Sequence, residues 1–591
     1  MPPARWPATI SIANWRRDVI EFDYVVVGAG SAGCVLANRL SADPTVRILL
    51  LEAGPRDGGW KIEIPAALTY NLMNDRVNWY YRTEPQRHMD GRRLYWPRGR
   101  VLGGSSSLNA MVYIRGHALD YDRWAEEGAA GWSYAEVLPY FQRAETFSLG
   151  PDAYRGGDGP LTVTRGSGDN PLFDAWIEAG AQAGYPPTAD MNGFRQEGMG
   201  RMDMTIRDGR RCSAAKAYLR PVRRRPNLAV LTGCLVTRVI LERGRAIGVE
   251  LIEAGIAKQV RAAREVIVAG GAVNSPQLLL LSGIGPADHL SSVGVPVRHE
   301  LPGVGRDLQD HLEFYFQIAC REPVTLLDAM RPHNMLPIGL RWLLFHDGPA
   351  ASSHLEAGGF IRSRAGVRHP DIQFHFLPAL VEDHGRSKGG VHAYQAHAGT
   401  MRPLSRGWLE LRSDDPRQHP LIEPNYLAEE QDRIDLRACV RLTREIFAQP
   451  AFDRFRDREL RPGAGVTGDR EIDAFVRARA DSAYHPCCTC RMGVDPLAVV
   501  DPQCRVRGLD GLRVVDASIM PSMVSGNLNA PTIMLAEKAA DLILGRPAPP
   551  PAEVPVWTDP DWRTRQRHAT AASVLAAVPA GTNVGEQVEM V

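Results

Sequence analysis

Cysteine is scarce in this chain. Nine are spread over 591 residues, too few for a disulfide scaffold, so reduced thiols in a reducing compartment are expected. Apolar runs are short: none approaches the ~18 residues of a membrane-spanning helix, although peripheral membrane contact stays open. Charge of either sign is not in excess. The formal net charge is +1, so no bulk field recruits nucleic acid or an acidic partner. The short basic run "RRRP" at Arg223–Pro226 reads as a solvated turn. No internal repeat is visible. The length suits a few domains, or one large α/β enzyme with an inserted second domain.

Both ends differ from the middle. Residues 1–21 carry Arg5, Arg16 and Arg17 with no acid before Asp18. They form a lead-in with a faint likeness to a mitochondrial presequence. From Gly545 to Val591 the chain is rich in Pro and Ala, which reads as a disordered or surface-draped tail.

What is present first is a nucleotide turn. "FDYVVVGAGSAG" places a β-branched strand, Tyr24–Val27, ahead of Gly28, Gly30 and Gly33. The first glycine permits the tight turn, the second the approach of a pyrophosphate, and the third close packing of helix on strand. A helix over Ser31–Leu40, starting with Ser31 and Ala32, would aim its amides at phosphate. A second strand, Arg47–Leu51, ends at Glu52, beside Ala53, where a carboxylate suits ribose hydroxyls rather than a 2′-phosphate.

That motif alone does not separate NAD from FAD; three later stretches do. "WPRGRVLGGSSSLNAMVYIRG" (Trp96–Gly116) adds a second loop of bare backbone donors at Gly103–Gly104. "GGAVNSPQLLLLSGIG" (Gly270–Gly285) follows a strand at Glu265–Ala269, with a helix start expected at Asn274–Ser275–Pro276. "GLRVVDASIMPSMVSGNLNAPTIMLAEKAADLIL" (Gly511–Leu544) reads as strand, loop and helix, with Asn529 at the N-cap ahead of Pro531. A late strand and helix returning to the nucleotide mark a discontinuous flavin domain.

From Phe22 to Leu544 the chain resembles the glucose-methanol-choline (GMC) oxidoreductases, on "GRVLGGSSSLN" (Gly99–Asn109) and "GAVNSPQLLLLSGIG" (Gly271–Gly285). Within them it is most similar to the choline-oxidising members. The cues are Leu301–Glu313, His369–Pro378 and Met520–Met534. The resemblance implies an α/β chain: a discontinuous Rossmann-like FAD domain over 22–318, with a substrate-domain insertion near 160–227. A substrate-domain region over 319–402, on an antiparallel sheet, and a C-terminal region over 403–544 returning to FAD would follow. It assigns the cofactor to Gly28, Gly30, Ser31, Ala32, Gly33, Glu52, Ala53, Arg100, Gly103, Gly104, Ser105, Asn109, Val112, Val236, Asp516, Ala517, Asn529, Pro531 and Thr532. Some choline-oxidising relatives bind FAD covalently through a His in the "GGxSSxN" loop; here that position is Leu108, so FAD is expected without a covalent link. A quinone-type acceptor, and attachment to a bacterial or mitochondrial inner membrane without a spanning helix, are also implied.

Alcohol oxidation needs a base and a donor for an alkoxide. The resemblance gives these roles to His485 and Asn529. It gives the trimethylammonium of choline to Glu313 and Tyr484, with Tyr70 and Trp79 as further walls. Another primary alcohol, and a flavin lyase without net redox, remain alternatives. "YHPCCTCRMG" (Tyr484–Gly493) could also suggest zinc, but Cys487 and Cys488 are adjacent, Cys490 follows after one residue and Cys504 stands alone. That spacing suits neither a structural zinc site nor a C-x-x-C redox pair. The three cysteines are expected to be packing residues around a histidine base.

Overall fold

A computed structural model describes residues 21–567, apart from 383, 384, 386 and 389. Residues 1–20 of the lead-in and residues 568–591 lie outside the described residues.

The strand Glu21–Val27, its glycine turn and the helix Ser31–Leu40 form as the sequence suggests. The strand pairs in parallel with Ile48–Glu52 on one side and with the end of Ile256–Val268 on the other. Leu228–Thr232 extends the sheet beyond Ile48–Glu52, and Leu512–Val514 pairs in parallel with Ile256–Val268. The early half of that long strand runs antiparallel to Arg245–Glu253, which pairs with Cys234–Glu242. The result is a seven-stranded mixed sheet. Its parallel strands Glu21–Val27, Ile48–Glu52 and Ile256–Val268 are buried on both faces where they meet, which is why they read as unbroken apolar runs.

A second seven-stranded sheet is antiparallel throughout. Its order is Arg456–Arg461, Leu312–Cys320, Ala393–Thr400, Ile372–Leu377, Ala357–Ile361, Gly198–Arg201, with Asp481–Ser482 paired to Leu312 and Glu313. One face carries Phe314, Phe316, Phe374, Phe376 and Tyr394, packed with Trp176, Phe447 and Phe475. The other face turns Glu313, Tyr315, His375 and His397 toward a cleft.

Ile372–Leu377 is buried on both faces, because helices cover one face and the cleft lies against the other. "RGWLELRS" contributes Trp408–Glu410, which pairs only with Leu421–Glu423 in a separate ribbon. Two expected helix starts shift. The helix after Val268 begins at Gly271, not at Asn274–Pro276, and contains Pro276. Proline removes the amide that would bond the Ala272 carbonyl, and the Thr489 hydroxyl donates to that carbonyl instead, at 2.7 Å. The late helix starts at Asn529 itself, with Leu528 as its N-cap residue and no side-chain cap. The segment after Gly545 is anchored as far as Arg567. Ala552 N–H donates to Ala135 O, and Asp559 forms a buried ion pair with Arg362.

Candidate active site and cofactor cleft

The two sheets enclose one cleft of about 840 Å³. The parallel strands deliver their carboxyl ends to it: Gly28 after the first, Glu52 at the second, Gly270 after the long one and Asp516 after the last. That is where ligands bind in open α/β sheets.

The glycines are there for space. A Cβ on Gly28, which has φ +101°, would lie 2.5 Å from Ala269 O, and one on Gly33 would lie 1.8 Å from Gly28 O. Turn and packing therefore both require glycine. A Cβ on Gly30 would meet only Gly104 Cα, at 4.0 Å, so it would project into the cleft. Conversely, a Cβ on Gly104 would sit 2.7 Å from Gly30 Cα. The two bare loops thus touch and jointly form a cradle for a dinucleotide. The N-terminus of Ser31–Leu40 opens on it with no side-chain cap, leaving its amides for an anion.

Of the expected cofactor residues, Gly28, Gly30, Ser31, Ala32, Glu52, Ala53, Gly104, Ser105, Asn109, Val112, Val236, Asp516, Ala517, Asn529 and Thr532 line the cleft. Gly33, Arg100, Gly103 and Pro531 stand behind it. Gly103 N–H donates to Ala29 O at 2.7 Å, and the Arg100 guanidinium lies over Trp79 at 5.5 Å. The Glu52 carboxylate accepts from Ala29 N at 2.9 Å and Gly54 N at 2.8 Å. Burial pushes it up to about 7 against those two bonds. Leu108 packs with Ile62, Val77 and Val101.

His485 sits at the other end of the cleft, just after the edge strand Asp481–Ser482. Its N–H donates at 2.7 Å to Asp310, which also accepts from the Ser482 and Tyr426 hydroxyls. Burial raises Asp310 to about 6 despite these donors. Arg98 donates to Tyr484 O at 2.6 Å, so both polar atoms of the peptide unit that joins Tyr484 to His485 are held by buried side chains.

Two chains of hydrogen bonds fix the ring of His485. On one side His311 Nε2 lies 3.0 Å from Met401 O, which can only accept, so His311 Nδ1 is the acceptor. His485 Nδ1–H donates to it at 3.0 Å, leaving Nε2 with the lone pair. On the other side Gln373 donates to Asn527 Oδ1 at 3.0 Å, which turns the Asn527 amide N–H toward His485 Nε2 at 3.2 Å. Both chains assign the same tautomer. Burial, then the neighbouring His311, His375 and Arg98, hold His485 well below the ordinary histidine range.

This corrects one expectation. Asn527, not Asn529, faces His485. Asn529 Oδ1 accepts from Ser31 Oγ at 2.7 Å, because the helix has already begun and turns its first side chain toward the nucleotide turn. Two asparagines two residues apart in "SGNLNAPT" cannot be ranked without knowing where the helix starts.

Glu313 lies in the cleft beside Tyr315 and Tyr484. Gln395 Oε1 accepts from Val381 N at 2.9 Å and Gln317 Nε2 at 3.0 Å. The amide end of Gln395 must then face His397 Nε2, at 2.7 Å. His397 accordingly donates Nδ1–H to Glu313, at 3.2 Å, with the Tyr315 ring tilted 35° to its own and the centroids 4.1 Å apart. Tyr70 and Trp79 reach the same cleft at a different part of its wall: Tyr70 is exposed and edge-on to Trp60, and Trp79 stacks on Tyr81. His311, Tyr315, His375 and His397 were not singled out in the sequence. Alternation along "HLEFYFQ" and "AYQAHAG" is the signal that carries three of them. Cys487, Cys488 and Cys490 are fully buried, with the first two sulfurs 3.2 Å apart.

Comparison with known proteins agrees with this arrangement. Two family models, both described as GMC oxidoreductase, match residues 22–313 and 403–536. The mouse protein named "Choline dehydrogenase, mitochondrial" is 60% identical, covering 93% of this chain and 94% of its own length. The "Oxygen-dependent choline dehydrogenase" of Photobacterium profundum is 52% identical, covering 93% and 98%. Among solved structures, pyridoxine 4-oxidase from Mesorbium loti superposes with TM-score 0.81 at 36% identity, over 89% of this chain and 100% of that one. Formate oxidase of Aspergillus oryzae gives TM-score 0.84 at 26% identity, over 89% and 99%. The chain belongs to the GMC oxidoreductase family and is an FAD-dependent oxidoreductase.

Proposed function

We propose that the protein oxidises choline to betaine aldehyde, the first step from choline toward glycine betaine. The observation that carries this reading is the pairing, in one cleft, of a neutral histidine whose Nε2 bears the lone pair and a carboxylate flanked by two tyrosines. FAD, held without a covalent link, supplies the hydride acceptor. Leu108 supports that link's absence, since its side chain has no nucleophile.

The trimethylammonium lies against Glu313, with the faces of Tyr315 and Tyr484 around it. A desolvated cation–π contact contributes about 2 kcal/mol. This leaves the hydroxyl near His485 Nε2, which takes its proton. The Asn527 amide has a second N–H, and it donates to the alkoxide as charge develops. Proton uptake at Nε2 costs little geometry, because Nδ1–H already points at His311.

A quinone-type acceptor takes the electrons, with the protein attached to an inner membrane, bacterial or mitochondrial. No helix among the described residues is long and apolar enough to cross a membrane. The mitochondrial relative's name carries no oxygen qualifier, unlike that of the less similar bacterial one. The test is anaerobic: choline should bleach the yellow flavin band of the purified protein, and a quinone analogue should restore it faster than oxygen does. A flavin band indifferent to choline would overturn the reading.

A further inference from the structure

The helix Pro332–Phe345 is apolar on two opposite sides. Inward, Met335, Ile338 and Gly339 line the cleft, and buried Trp342 donates to Gly209 O at 2.7 Å. Outward, Leu336, Leu340, Leu343 and Leu344 follow the spacing of one helical face. They are 53% to 77% exposed, and Phe345 in the last turn is 69% exposed. Exposed leucines are ordinary when scattered; a contiguous row is not.

The row continues around the mouth of the cleft. Trp60, Tyr70 and Met73 are exposed there and line the same opening. The turn Pro65–Ala67 packs on Pro349–Ala351, which packs on the helix, so both rims belong to one surface. Charge on this surface has a direction. From Pro332 to Phe345 there is no carboxylate, and the polar members include His333 and Arg341. Arg331 precedes the helix, and the Lys61 ammonium sits over the Trp60 ring at 5.6 Å. The acids at the two ends, Asp328 and Asp347, pair with Arg331 at 3.0 Å and Arg341 at 2.6 Å, so these four charges cancel and Lys61 is the cation in excess. Leucine and phenylalanine with a tryptophan–tyrosine rim and basic residues are the composition of helices that lie in a lipid interface.

We infer that this face docks on an anionic bilayer, with the leucine row in the acyl boundary and the cleft mouth opening toward the lipid. This rests on the membrane-attached reading above and gives it a surface. A lipid-soluble acceptor would then enter between the helix and the Trp60–Met73 rim without crossing water.

The test uses the full-length, FAD-loaded protein in flotation with phosphatidylcholine vesicles, with and without phosphatidylglycerol. Wild type should float, more so with the anionic lipid. Leu336→Glu/Leu340→Glu/Leu344→Glu should bind about tenfold or more weakly, since each burial lost removes several methylenes' worth of partitioning. Its choline turnover with a water-soluble dye should be unchanged, and turnover with a long-chain quinone in the vesicles should fall. A milder Leu340→Gln/Leu344→Gln variant repeats the test if the triple variant does not fold. Vesicle binding equal to wild type would overturn the surface but leave membrane attachment standing. Failure of wild type to float would overturn both. A wild-type dimer that the triple variant converts to monomer, without vesicle binding, would assign the face to a second copy instead.

Discussion

His311 and His485 meet through their Nδ1 atoms, 3.0 Å apart. Only one of those nitrogens can carry the proton, and the Met401 carbonyl decides which. The reacting nitrogen is therefore set by a main-chain oxygen two groups away. His311→Ala should lower kcat by about tenfold to a hundredfold, with a smaller effect on the choline KM. His485→Ala should lose about 10²–10⁴, the range of a general base. Steady-state kinetics with a soluble dye separates the two, and equal losses would place His311 in the chemistry itself.

The asparagines should separate by phenotype. Asn527→Ala removes an alkoxide donor and should lower kcat by about 10²–10³. Asn529→Ala removes the acceptor of Ser31 Oγ at the nucleotide turn. It should show first as flavin lost on dilution, read by absorbance after gel filtration, with kcat per bound flavin less affected.

Glu313→Gln should raise the choline KM at least about tenfold, in line with ~1.4 kcal/mol per factor of ten. The neutral tert-butyl analogue of choline, equal in shape and lacking the charge, should be oxidised with little change. Parallel losses on both would mean that Glu313 acts through His397 rather than on the cation.

The histidines make a pH prediction. Burial lowers His311 and His375 from 6.5 to about 4, and His485 lies well below its ordinary value. A base with a depressed value stays neutral further into acid, so the acid limb of kcat/KM should fall below pH 6.5. The same linkage bears on stability. The unfolded chain binds these protons first, so the contribution is complete above about 6.5 and is lost as pH falls through about 4. An acid limb at or above 7 would contradict a buried neutral His485.

The cysteines beside the base should be silent. Cys487→Ser and Cys488→Ser should keep most activity, because the thiols are buried and burial pushes Cys487 well above its ordinary range. Activity assays after thiol-reagent treatment of the native protein offer a second check.

Much of the cofactor domain was legible in the sequence because it is built locally. The glycine turn, its strand and its helix lie within some twenty residues, and each residue's role is set by its neighbours. The substrate side was harder. Glu313, Tyr315, His375 and His397 come from three strands that pair only in the folded sheet, and nothing local joins them. The helix start at Gly271 was missed because proline usually opens a helix. Here it sits inside one, and its cost is met from a loop more than two hundred residues away. Asn527 was missed for a related reason: the same short loop offers two amides, and only the path of the backbone says which one faces the histidine.

The bond from Thr489 to the Ala272 carbonyl has a consequence for how this protein can change. The helix needs an outside hydroxyl because Pro276 took away its own amide, and that hydroxyl comes from the histidine's loop. Thr489 is not free to drift while Pro276 stands. Thr489→Val leaves a buried carbonyl without a donor, at about 1–3 kcal/mol, whereas with Pro276→Ala the helix could satisfy itself. The two positions form an ordered pair in which the proline must revert before the threonine can be spared.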